Sequence, residues 1–262
     1  MGVRTPISLE EAQALFPSYQ LKNLQETTDG VMDTTYLLDD YILKHYERDI
    51  DEKLLRDSKI LELLKTKGLN TPLHLASAKG WHLYSRLEGE VPRSISYYHI
   101  QALARFLSKM HSITRHYHGG KEFLSEYNLI NILEYCKEEH YFYYKKLQSI
   151  ESLILRNDGF IHGDIFKDNT LFHGEKIGVF DFIDGGVGAF CFDVAVALVA
   201  FNAHKRKSYM KLFCKTYNQH APRKIQLQSI EKHIKNAAKL YGLLRIEKYK
   251  NPKKAKELAN LW

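Results

Sequence analysis

The chain has 262 residues, 44% of them hydrophobic and only six of them proline. That is enough apolar material for one large domain or two smaller ones, and it excludes a disordered segment. Thirty-eight Lys and Arg against 31 Asp and Glu leave a formal net charge of +7, but the basic residues are spread along the chain and form no concentrated stripe of the kind nucleic-acid binding uses. Cys136, Cys191 and Cys214 are odd in number and lack C-x-x-C spacing, so neither a disulfide framework nor a zinc site is expected. Nothing near Met1 reads as a signal peptide. The most apolar stretch, residues 177–201, is interrupted by Asp181, Asp184 and Asp193. The expectation is therefore a cytoplasmic protein with neither a membrane nor a nucleic-acid partner.

Ser8 followed by Glu10 and Glu11 is an N-terminal helix signal, with Ala12, Leu15 and Phe16 as its apolar face. Thr27 to Gly30 marks a turn. Thr34 to Leu38 and Tyr41 to Tyr46, separated by Asp39-Asp40, predict a β-hairpin. Helical spacing of Leu54, Leu55, Ile60, Leu61 and Leu64 predicts a helix closed by Gly68. Leu83 to Gly89 reads as a strand leading into a turn. Beyond Pro92 the pattern is helical: Tyr97 to His111, then Leu129 to Leu147, an apolar helix after Asp193, and further helices from Tyr209 to Leu261. The basic run from Lys248 to Lys254 reads as a solvated helix face. The fold class is α+β, with a small N-terminal antiparallel sheet over 1–84 and a larger, mainly α-helical region over 85–262.

The chemistry concentrates between the second and third of those helices, at His162-Gly163-Asp164, Asn169 and Asp181. Thr170–Phe172 and Ile177–Phe180 flank His173-Gly174-Glu175 and predict a tight hairpin. If it is symmetric about Glu175, Asn169 and Asp181 face each other at roughly 4.5–5.5 Å between Cα atoms. An amide and a carboxylate so placed suit Mg²⁺, which takes one or two protein oxygens and fills its other positions with phosphate and water. Asp164, on the loop entering the hairpin, is placed to orient an attacking hydroxyl and accept its proton. Lys167 would neutralise charge on the transferring phosphoryl group, and His162 would brace the loop. Asp168 and Asn169 also suit a plain turn.

This stretch, from Ile161 to Phe172 and on to Phe192-Asp193-Val194-Ala195, resembles the catalytic segment of the aminoglycoside phosphotransferase and choline kinase superfamily. It is most similar to bacterial homoserine kinases of that fold. The resemblance implies a two-lobed protein-kinase-like fold, with ATP and Mg²⁺ as cofactors and a small-molecule alcohol as acceptor. It makes 1–84 the nucleotide-binding lobe and 85–262 the catalytic and substrate-binding lobe. Lys44 would hold the α- and β-phosphates, with Asp57 as its helix carboxylate and Glu52 and Glu62 as rivals. The Asp29-Gly30 turn would cover the phosphates, and the backbone from Leu83 to Leu87 would pair with adenine. Asp193 would either cap its helix or brace the catalytic loop. For the acceptor, Asp184 would meet an ammonium group, and Arg206 or His204 a carboxylate.

Overall fold

The computed structural model describes residues 4–27, 33–117 and 119–262. The chain divides into two compact units, Met1–Glu90 with Gly178–Ile183, and Val91–Ile177 with Asp184–Trp262. The division falls a few residues beyond the 84/85 boundary read from sequence. That reading also missed the return of 178–183 to the first unit.

The first unit opens with α1 (Leu9–Leu15), whose Ser8 hydroxyl accepts from Glu11 N while the Glu11 carboxylate accepts from Ser8 N, a reciprocal cap. Five antiparallel strands follow: β1 (Gln25–Glu26), β2 (Thr34–Leu37), β3 (Tyr41–His45), β4 (His74–Ala78) and β5 (Trp81–Ser85), in the order β1-β2-β3-β5-β4. Side chains alternate between faces. Tyr36, Leu43 and Leu83 are paired across β2, β3 and β5 and cluster with Ala12 and Phe16. Lys44, opposite His82, therefore projects to the other face.

Helix α2 (Asp51–Thr66) buries Asp57, Ile60, Leu61 and Leu64. It ends as expected near Gly68, whose φ is 77°. Gly68 N bonds Lys65 O at 2.9 Å and Leu69 N bonds Leu64 O at 3.0 Å, and Leu64 and Leu69 are both buried. This is the paired closure that a left-handed glycine permits. The strand expected to run to Leu87 ends at Ser85; Arg86 N still bonds Asp40 O in register at 3.0 Å, and its guanidinium donates to Leu38 O at 2.7 Å.

The second unit is mainly helical: α3 (Tyr97–Thr114), α4 (Leu129–Glu139), α5 (Tyr141–Leu147), α6 (Phe190–Ala200), α7 (Lys207–Tyr217) and α8 (Leu227–Tyr249). The single helix expected over 129–147 is two helices. His140 leaves the helical region at φ −143° and ψ 49°, ending α4 and starting α5. Strands β6 (Gly159–Ile161) and β9 (Gly186–Gly188) pair antiparallel. The predicted hairpin is β7 (Thr170–His173) with β8 (Lys176–Val179). No helix among the described residues is long and apolar enough to cross a membrane.

Candidate active site

In the second unit, the fully buried β6 delivers the chain to His162, Gly163 and Asp164. Gly163 has φ 74°, and a Cβ there would overlap the Phe123 ring, so both the backbone angle and the packing demand glycine. His162 is 1% exposed, and its Nδ1 accepts from Asp164 N at 3.2 Å. The ring thus holds the Asp164 amide within the loop. Asn169, in a single 3-10 turn over Lys167–Asn169, donates from Nδ2 to Asp164 O at 2.8 Å and to Asp164 Oδ2 at 3.0 Å. The side chain is thus pinned with its nitrogen toward Asp164, leaving its carbonyl oxygen as a hard donor. Lys167 and Asp184 are half-buried.

Asp193 lies inside α6, and Ala189 occupies the N-cap position. The capping reading is therefore corrected, and the bracing alternative is what the structure has. Its buried carboxylate accepts from Gly163 N (Oδ1, 2.8 Å), His162 N (Oδ2, 3.1 Å) and His111 Nε2 (Oδ2, 3.0 Å). Burial alone would raise its pKa, but the His111 hydrogen bond and charge, with His162 and the Gly163 amide, bring it below the usual carboxylate value. His111 is itself fixed by the Tyr217 hydroxyl at 2.7 Å and by stacking on Phe190 at 4.2 Å.

The first unit carries Lys44 and Asp181. Lys44 Nζ donates to Asp181 Oδ1 at 2.8 Å and lies 3.6 Å from Asp33 Oδ2. It also sits 4.5 Å from the centre of the Tyr46 ring. Desolvation pulls its pKa down, but the charges of Asp181 and Asp33 outweigh that, and the net direction is upward. The ammonium is therefore held charged. Asp181 adopts φ 66°, a left-handed conformation that costs a non-glycine residue about 1–2 kcal/mol and that Asp tolerates better than most. Strain of this kind concentrates at functional positions. The segment is anchored by Arg56, which donates to Ile183 O at 2.6 Å, and by Ile183 packing on Tyr46 and Ile50.

Of the three candidate helix acids, Asp57 is buried while Glu52 and Glu62 are exposed. Asp57 adds to the upward shift of the Tyr46 and Tyr84 phenols, which burial dominates. Leu87 is buried just past β5. Asp29 and Gly30 lie outside the described residues. Arg206 and His204 engage Tyr209 and Leu198 O respectively rather than the catalytic loop.

Sequence reasoning missed Asp33, His111, Tyr217, Tyr127 and Tyr241. His111 had a faint signal, as a polar residue directly after Met110 on the apolar helix. Asp33 had only its position beside the first hairpin strand.

The phosphotransferase enzyme family model (APH) matches residues 23–226. A homoserine kinase of Polaromonas naphthalenivorans is 26% identical over 228 residues, spanning 76% of this chain and 72% of the relative. Among solved structures, the ADP-bound aminoglycoside phosphotransferase APH(2'')-Ib superposes with a TM-score of 0.64 at 19% identity, covering 97% of both chains. The amicoumacin kinase hAmiN, in complex with AMP-PNP, Ca²⁺ and Ami, does so with 0.68 at 18% identity over 96% of this chain and 92% of that one. These superpositions identify the fold as the α+β, protein-kinase-like one. The family match takes in Lys44, the braced loop and Asp181 alike, and since it extends over most of the sequence, the chain belongs to the phosphotransferase enzyme family.

Proposed function

We propose that this phosphotransferase moves the γ-phosphoryl group of MgATP to the hydroxyl of a small molecule, with homoserine as the acceptor. The observation that carries the transfer is the Asp164–Asn169 pair, in which one amide nitrogen grips both the carbonyl and the carboxylate of Asp164. A carboxylate fixed in this way on a braced loop is suited to align an alcohol and take its proton as the O–P bond forms. Lys44, kept charged by its acidic neighbours, would bind the α- and β-phosphates, with Asp57 as the helix acid. Asp29 and Gly30 would cover the phosphates, and the backbone from Leu83 to Leu87 would pair with adenine. Lys167 would offset charge on the transferring group.

For the metal, Mg²⁺ would be held by the Asn169 carbonyl and the Asp181 carboxylate, hard oxygen donors of the kind this ion takes. When bound, the ion would neutralise phosphate charge. Support for a nucleotide and a divalent cation also comes from the structural neighbours, one bound to ADP and another to AMP-PNP with Ca²⁺. The homoserine reading is supported by the names of the curated relatives. In it, Asp184 would pair with the acceptor's ammonium, and Arg206 would have to leave Tyr209 to reach the carboxylate.

Asp181→Asn is expected to weaken nucleotide binding chiefly in the presence of Mg²⁺, by about tenfold or more, since the charged contact with Lys44 and a ligand charge are lost together. Titration with and without Mg²⁺ checks this, and an undiminished Mg²⁺ effect would contradict the metal role. The acceptor is tested by ATP consumption against homoserine, choline, amino sugars, methylthioribose and aminoglycosides. Preference for homoserine is expected. Selective use of another alcohol would replace it, and nucleotide binding without turnover on any of them would point to a silent scaffold.

A further inference from the structure

The last helix, α8, begins after the residues matched by the family model end at 226, yet it reaches the catalytic loop. The buried Tyr241 hydroxyl donates to Gly163 O, and its ring packs against Phe166 with centroids 5.1 Å apart. Gly163 N is bonded to Asp193. The residue immediately before Asp164 is therefore held at its N–H by α6 and at its C=O by α8. Because Gly163 sits at positive φ with no side chain to pack, these two bonds are what define its orientation, and the orientation of Gly163 sets where the Asp164 carboxylate points.

A second tyrosine completes the arrangement. Burial raises the Tyr241 phenol, and the neighbouring Tyr127 phenol adds to the rise. The Tyr127 ring packs on Phe123 at 5.4 Å, the same Phe123 that Gly163 abuts. Burial raises the Tyr127 phenol, and the Asp164 and Asp184 carboxylates add to the rise.

We infer that Tyr241 is a positioning residue for the catalytic loop, so that α8 is a working part of the active site although the family match does not include it. The inference rests on the loop having the role proposed above, and its test separates the two. Tyr241→Phe keeps the ring against Phe166 and removes only the hydroxyl. Hydrogen exchange of the peptide spanning 160–168 is expected to rise by about tenfold while exchange elsewhere stays unchanged, and kcat to fall by about tenfold with KM for MgATP within about twofold. Wild-type exchange and kcat in the variant would overturn the inference. So would a loss of activity matched by faster exchange throughout the chain, which is the signature of general destabilisation.

The exchange readout needs neither nucleotide nor acceptor. If the loop loosens selectively but the wild-type protein transfers no phosphoryl group, the positioning role stands and the functional reading falls. Should Tyr241→Phe fail to fold, Tyr127→Phe removes the phenol hydroxyl neighbouring Tyr241 and keeps the ring on Phe123. Faster loop exchange with a fall in kcat of about threefold would then support the inference, and no change in either would overturn it.

Discussion

Asp164→Ala is expected to lower turnover by roughly two or more orders of magnitude while leaving MgATP affinity largely intact, the usual scale for a lost general base. The asymmetry follows from what Asp164 touches. Its carboxylate and carbonyl are held by Asn169, and the proposed phosphate contacts belong to Lys44, whose bonds run to Asp181 and Asp33. Removing the Asp164 carboxylate frees the Asn169 amide from only one of its two contacts, since the carbonyl at 2.8 Å remains. Nucleotide titration and steady-state turnover on the same preparation check the split. Undiminished turnover would remove Asp164 from the chemistry.

Asp193→Ala should have the largest effect on stability. The carboxylate is fully buried and takes three donors, two of them backbone amides of the catalytic loop. Losing it leaves all three buried and unpaired, and breaking such a buried charged network costs about 3–5 kcal/mol. Asp193→Asn is the more informative change. Whichever way the amide turns, its nitrogen meets a donor: Gly163 N on one side, or His162 N and His111 Nε2 on the other. We expect a loss of about 1–3 kcal/mol, together with a drop in turnover because the loop loses a hold on His162 or Gly163. Denaturant unfolding measures the first and steady-state kinetics the second.

The pH dependence of that stability has a definite sign. The Asp193 carboxyl is held below its ordinary value of 3.8, so its contribution is complete above that value. It is lost as pH falls through the depressed pKa. Asp193→Asn should remove this part of the acid limb of the unfolding profile.

How much of this was legible depended on sequence separation. The first hairpin, the reciprocal cap at Ser8 and Glu11, and the Gly68 closure are local, and each is written in residues a few positions apart. The loop was legible for the same reason, because Asp164 and Asn169 are five residues apart. The long-range partners that hold the loop were not legible from spacing, and bracing by Asp193 stood only as one of two alternatives beside the resemblance. Asp193 reaches back 30 and 31 residues to Gly163 and His162, His111 meets Asp193 across 82 residues, and Tyr241 meets Gly163 across 78. No periodicity encodes contacts at that range. A buried polar residue on an apolar helix shows in sequence only as an interruption, and Asp193 near the start of α6 imitated a cap.

The helix break at His140 was hidden as well, since the apolar spacing runs through it without a proline or glycine. In the first unit, Asp33 was obscured by the many acids around it. Its ion pairs with Lys44 and with Arg48 at 3.9 Å became apparent only once the fold had brought β3 and the bend after it alongside.

The central claim, that the Asp164 loop transfers a phosphoryl group to an alcohol, is tested most directly by phosphorus NMR of the protein with MgATP and homoserine, run in parallel for wild type and Asp164→Ala. The account predicts a new phosphomonoester signal growing with ADP in the wild type, and a signal slower by about a hundredfold or more in the variant. Equal phosphoester formation by the two proteins would contradict it.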